Sequence, residues 1–157
     1  MSARVFSCLI QNLVPLLQHF NELIFIKMIP ISSTAVLIDD NDMTKAALRW
    51  ILRDYGCQII GEANNAEDGF RLVDNLRPTV VFLDIKMPGG DGFEVLGKIK
   101  QQVPESMVIM VSANHDADTV REALLEGAVG FIIKPFNPGR IVAALDRAML
   151  HRRAIYD

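Results

Sequence analysis

From Thr34 onward the chain alternates between two kinds of hydrophobic pattern. Short apolar runs bounded by acids, Gly or Pro occupy Ala35–Ile38, Gln58–Ala63, Val80–Leu83, Met107–Val111 and Gly130–Ile133. Their Val and Ile content, without strict polar alternation, predicts strands covered on both faces in a parallel sheet. Between them apolar residues recur at helical spacing. This predicts helices over about Met43–Tyr55, Ala66–Leu76, Gly92–Gln102 and Asp116–Glu126, and a last one from Pro138.

The predicted inward faces are Ala47, Leu48, Ile51, Leu52 and Tyr55 on the first helix and Ala66, Phe70 and Val73 on the second. Phe93, Leu96 and Ile99 serve the third, Val120, Ala123 and Leu124 the fourth, and Ile141, Ala144, Leu145 and Ala148 the last. Asp42 is placed to cap the first helix. Pro78 ends the second, Gly127 stands where a C-terminal cap belongs, and Pro138 suits a first turn. Five β–α units with short connections imply one open parallel sheet with helices on both faces, joined by right-handed crossovers. The fold class is therefore α/β, a doubly wound sandwich. The sequence stops soon after the fifth helix, so no second C-terminal domain is expected.

Composition changes this picture little. The 157 residues suit one ordinary domain, half of them are apolar, and the formal charge is −3. Such a mild charge does not point to nucleic acid or an anionic surface as the main partner. The two cysteines, Cys8 and Cys57, have neither metal-type nor disulfide-framework spacing and read as reduced thiols of a cytoplasmic protein.

Residues 1–33 form an N-terminal extension of uncertain status. It is rich in Leu, Ile, Val and Phe, but Arg4, His19, Glu22 and Lys27 interrupt it and Pro15 divides it. No run approaches the ~18–20 apolar residues of a spanning helix, so no membrane span is expected. Arg4 and Val5–Ile10 resemble a secretory leader only weakly, since Gln11 and Asn12 cut the apolar stretch short. Two readings stand side by side. Leu13, Leu16, Leu17, Phe20 and Leu23/Ile24 fall at helical spacing and suit an amphipathic helix that packs on a partner, a second copy of the chain included. Alternatively, Met28 is the initiator and residues 1–27 are a product of start-site choice.

Candidate chemistry collects at the carboxyl ends of the strands, where open α/β sheets bind ligands. The first strand ends in Asp39-Asp40, the third in Asp84, the fourth in Ser112 and the fifth in Lys134, whereas the second ends blandly in Glu62-Ala63. One acid at a strand end is usually a cap or turn residue. Five suitable groups on one rim are too many for that role. Clustered carboxylates repel one another unless a cation intervenes. All-oxygen donors without His or Cys favour a hard ion such as Mg²⁺. A hydroxyl and an ammonium beside that ion would neutralise the oxygens of a phosphoryl group in transfer, and an aspartate can itself be the nucleophile, forming an acyl phosphate. The residues therefore predict a Mg²⁺-assisted phosphoryl site with a carboxylate acceptor. Pro88, Gly89, Gly90 and Gly92 turn the chain sharply after Asp84.

Four spaced motifs, "VLIDDN", "LDIKMPGGDG", "VIMVSAN" and "GFIIKPF", resemble those of the receiver domains of two-component response regulators over about Thr34 to His151. The resemblance implies a receiver domain over residues 34–157. The fold would be flavodoxin-like, a (βα)5 sandwich with strand order 2-1-3-4-5, which would set the first and third strands side by side. It further implies that Asp84 is the phosphoacceptor for a histidine kinase or phosphotransfer protein. Asp39, Asp40, Asp84 and the backbone carbonyl of Lys86 would hold Mg²⁺, and Lys134 would pair with the phosphoryl oxygens. Ser112 and Phe131 would be switch residues, and the Lys134–Pro135 bond would be cis. The implied output is a protein–protein contact by a stand-alone regulator, as in chemotaxis, motility or a phosphorelay, with no direct nucleic-acid binding.

The sequence also departs from the family pattern. Gly90 stands where many relatives carry methionine and is expected to loosen that turn. Lys86 and Asn114 occupy positions that influence how long the phosphoryl group lasts. Two rivals remain at this level. One is a Mg²⁺-dependent phosphohydrolase with an aspartyl-phosphate intermediate, although Lys86 stands where such enzymes carry a second acid. The other is a phosphorylation-independent scaffold dimerising through the extension.

Overall fold

The structure is a computed structural model that describes residues 33–156, all within one compact unit. The readings placed on the extension, with Cys8 and Met28, lie outside the described residues. Five strands form the sheet: β1 (Thr34–Ile38), β2 (Gln58–Ala63), β3 (Val80–Asp84), β4 (Met107–Ser112) and β5 (Gly130–Ile133). All pair in parallel, in the order β2-β1-β3-β4-β5. That is the expected 2-1-3-4-5 arrangement. The helices between and after them are α1 (Asp42–Asp54), α2 (Ala66–Leu76), α3 (Gly92–Gln102), α4 (Ala117–Leu125) and α5 (Pro138–Tyr156).

Alternation along the strands divides the core between two faces. Val36, Ile38, Val81, Leu83, Val108 and Met110 cluster with Val73 of α2, Leu96 and Ile99 of α3 and Ala123 of α4. The intervening residues Leu37, Phe82 and Ile109 are also buried, together with Leu48 and Leu52 of α1 and Ile141 and Leu145 of α5. Each such side chain, fully removed from water, contributes about 1.5–3 kcal/mol. The apolar runs thus lacked polar alternation because both faces of the sheet are covered.

Three local expectations are corrected. Asn41, not Asp42, caps α1: its side-chain oxygen accepts from the N–H groups of Met43 at 2.9 Å and Thr44 at 3.0 Å. Asn41 keeps an extended backbone and Asp42 becomes the first helical residue. Ala47 and Tyr55 lie exposed, and the apolar stripe of α1 instead runs through Lys45, Leu48 and Leu52. Leu124 is also exposed, because the short helix α4 packs over the edge strand β5 and buries Ala123 alone. In the turn after Asp84, Gly90 has a defined place. It pairs with Met87 in a two-residue ladder closed by Pro88 and Gly89, with φ at 155°, and a Cβ there would lie 2.9 Å from that of Ala66.

Candidate functional site

Strand register brings the acids together. Ile38 pairs with Leu83, so the next residues on two adjacent strands, Asp39 and Asp84, leave the sheet side by side. Ser112 closes β4 opposite Ile133, and Lys134 follows directly. The Lys134 backbone N–H donates to the Ser112 carbonyl at 2.8 Å, which locks those two ends together. The Lys134–Pro135 bond is cis.

Asp39 and Asp84 are buried and Asp40 is exposed. Backbone groups fix one oxygen of each buried acid. Asp84 Oδ1 accepts from the N–H of Ile85 at 2.8 Å, and Asp39 Oδ1 from that of Asn41 at 2.8 Å. The other two oxygens face the Lys134 ammonium, at 2.6 Å for Asp39 and 3.3 Å for Asp84. Burial pushes the Asp84 carboxyl above the usual carboxylate range; Lys134 opposes that rise and the charge of Asp39 adds to it. The turn after Asp84 depends on Gly92, whose missing side chain lets α3 start against β3. A Cβ there would fall 2.2 Å from the Asp84 carbonyl oxygen.

One carboxylate oxygen from each of Asp39, Asp40 and Asp84 lies within 4.8 Å of the other two. Three hard oxygen donors around a crowded, partly compensated negative charge fit a Mg²⁺ ion. Beside them opens a cleft of about 490 Å³ bordered by Asp84, Lys86, Ser112, Asn114, His115 and Lys134. Ser112 is buried and its Oγ accepts from the Asn114 N–H at 3.1 Å, so the hydroxyl proton remains free to be donated. Lys86 is exposed at the cleft edge. Phe131, half-buried, pairs with Met110 and packs against the α2–α4 face of the core.

All the acids, the hydroxyl and the lysine singled out in the sequence therefore meet at one rim. Sequence reasoning missed two neighbours. His115 borders the cleft from the loop after β4, and no spacing singles it out. Lys45 is buried, with its ammonium on Asn64 and, at 3.0 Å, on Asp42. It thereby ties the loop after β2 to the start of α1. Its place three before Leu48 and seven before Leu52, on the apolar stripe, was the available signal.

Comparison with known proteins agrees with this geometry. The family model described as the response regulator receiver domain matches residues 35–146. The chemotaxis protein CheY of Listeria monocytogenes is 34% identical over 113 residues, 72% of this chain and 95% of its own length. The nitrate/nitrite response regulator NarL of Escherichia coli is 33% identical over 118 residues, 74% of this chain but 54% of its own length. Among solved structures, the receiver domain of the response regulator NarL from Mycobacterium tuberculosis aligns with a TM-score of 0.70 and 30% identity, covering 75% of this chain and 97% of that one. CheY in the CheX–CheY–BeF₃–Mg²⁺ complex from Borrelia burgdorferi gives 0.70 and 30%, covering 72% and 86%. A family match over most of the chain, on a fold that gathers the four motifs at one rim, shows that the chain belongs to the receiver domains of two-component response regulators.

Proposed function

We propose that this receiver is a phosphorylation-driven binding switch whose phosphoacceptor is Asp84. The observation that carries the reading is the buried Asp84 carboxylate paired with Lys134 at 3.3 Å on the border of an open cleft. Its Oδ1 is held by the backbone, which leaves Oδ2 to attack. In the transfer, an Oδ2–P bond forms as the P–N bond of a phosphohistidine on a histidine kinase or phosphotransfer protein breaks, and the imidazole departs. Lys134 moves its ammonium from Asp39 toward the phosphoryl oxygens, and Ser112 donates its hydroxyl proton to them. Asp39, Asp40, Asp84 and the backbone carbonyl of Lys86 would hold Mg²⁺, which when bound neutralises charge developing on the transferred group.

The acyl phosphate then biases a pre-existing equilibrium between two conformations, with Ser112 and Phe131 as the moving parts, and a downstream protein reads the altered surface. Turnover is limited to self-catalysed transfer and hydrolysis. Lys86, two residues after the acceptor, supplies no second acid for a phosphohydrolase. Steady multi-turnover release of nitrophenol from p-nitrophenyl phosphate would overturn the switch reading. The scaffold alternative requires instead that Asp84→Asn leave partner binding unchanged.

A further inference from the structure

We propose that Lys45 is a positioning residue for the metal site: its buried ammonium fixes the turn that carries Asp40, and Mg²⁺ affinity depends on it. The inference rests on the reading of Asp39, Asp40 and Asp84 as Mg²⁺ ligands. The three acids are not held alike. Asp84 closes β3 within the sheet, and the backbone N–H of Asp39 donates to the carbonyl of Ala63, the last residue of β2, at 3.1 Å. Asp40 lies one residue further out, exposed, just before the cap of α1. Its place depends on where the first turn of α1 stands against the edge of the sheet.

Lys45 sets that relation. It is 4% exposed, an uncommon place for an ammonium. Its backbone N–H closes the first turn of α1 on the Asn41 carbonyl at 3.2 Å. Its ammonium crosses to the side-chain oxygen of Asn64 and also reaches Asp42 Oδ1 at 3.0 Å. Asn64 is itself fixed on both sides. Ala63 before it belongs to β2, and Asn65 after it caps α2, accepting from the Asp68 N–H at 2.9 Å. The lysine thus pins a helix turn to a rigid loop, and Asp40 lies in the short link between that turn and β1. Charge balance does not account for the burial. The partners of Lys45 are a neutral amide and a carboxylate that is 88% exposed, while Glu62 of β2 is paired with Arg49 at 2.7 and 2.8 Å. Two effects of the ammonium oppose each other. As a positive charge it disfavours a cation nearby, and as an anchor it holds a metal ligand in place. The anchor prevails here, because the hydrogen bonds of Lys45 go to Asn64 and Asp42, whereas those of Lys134 go to Asp39 and Asp84 themselves.

The test titrates Mg²⁺ into wild type, Lys45→Met, Asn64→Ala, the double variant and Lys45→Arg, followed by amide NMR on the folded proteins. Met keeps the apolar stem and removes the ammonium, so a lysine acting only through its charge would leave Lys45→Met binding Mg²⁺ more tightly. The anchor predicts the opposite sign. Affinity should weaken by about tenfold in Lys45→Met and in Asn64→Ala, the low end for groups that orient metal ligands. The double variant should lie within about twofold of the weaker single one, since both substitutions remove the same link. Lys45→Arg keeps donors for both partners and should stay within about threefold of wild type. At saturating Mg²⁺ the Ile85 and Lys86 amides should reach their wild-type shifts in every variant, while those of Asp40 and Asn41 differ in Lys45→Met and Asn64→Ala. Unchanged or tighter binding by Lys45→Met, or additive losses in the double variant, would overturn the proposal. A wild type in which the Asp40 and Ile85 amides do not respond to Mg²⁺ would instead overturn the metal reading on which it rests.

Discussion

The ammonium of Lys134 lies 2.6 Å from Asp39 Oδ2, nearer than its 3.3 Å to Asp84. This lysine therefore offsets the charge of Asp39 at closer range than that of Asp84. On the proposed function, lysine and Mg²⁺ would compete for the same carboxylates until a phosphoryl group arrives.

Lys134→Ala separates the two roles. Without the ammonium, Mg²⁺ binding should tighten severalfold, because the carboxylates lose their internal counter-charge. Labelling by acetyl phosphate should slow by at least about tenfold, equivalent to ~1.4 kcal/mol of lost transition-state stabilisation. Titration with Mg²⁺ and a single-turnover labelling assay measure the two effects.

Asp84→Asn tests what the crowded acids cost. Because burial raises the Asp84 pKa above its unfolded value, stability associated with this group is full at low pH and is lost as pH rises through the folded pKa. Ionising this carboxyl therefore costs more in the metal-free fold than in the unfolded chain. The amide should raise Tm in a chelator by a few degrees, the shift that about 1 kcal/mol produces in a domain of this size. Added Mg²⁺ should stabilise the wild type more than the variant.

Gly92→Ala probes how the acceptor is held. Its Cβ would meet the Asp84 carbonyl oxygen at 2.2 Å and the Ile85 Cα at 2.7 Å, both of them backbone. The start of α3 and the end of β3 must part, at a cost of about 1–3 kcal/mol. Urea denaturation should show that loss, and BeF₃⁻ affinity should drop with it.

Tyr55 and Asp146 join α1 to α5 through a hydrogen bond donated by the phenol. Partial desolvation of the phenol, together with the hydrogen bond it donates to Asp146, pushes the Tyr55 pKa up to about 12. The folded state thus keeps a proton that the unfolded chain loses near pH 10, so stability falls as pH rises from about 10 to about 12. Tyr55→Phe should flatten that decline, as read from urea midpoints on either side of pH 10.

Much of this molecule was legible in the sequence, for identifiable reasons. The strands announced themselves because Val and Ile fill runs covered on both faces, and four of the five runs give way to a polar or charged residue, Asp39, Asp84, Ser112 and Lys134. The rim could then be read from the carboxyl ends of the strands, whereas the neighbouring of the first and third strands came only with the family resemblance. Side-chain choices that depend on neighbours far along the chain were not legible. Lys45 lies buried because Asn64 and Asp42 receive its ammonium. Asn41 took the capping role from Asp42 because its carboxamide reaches two N–H groups. Leu124 stays exposed because α4 sits over an edge strand, where only one side of the helix finds a neighbour.

The central claim is that Asp84 accepts a phosphoryl group with the help of Mg²⁺. Intact-protein mass spectrometry after incubation with acetyl phosphate and Mg²⁺, followed by peptide mapping, tests it most directly. The account predicts the added mass of one phosphoryl group, located on Asp84, absent with a chelator and absent in Asp84→Ala. An unmodified wild type, or equal labelling of Asp84→Ala, would contradict it.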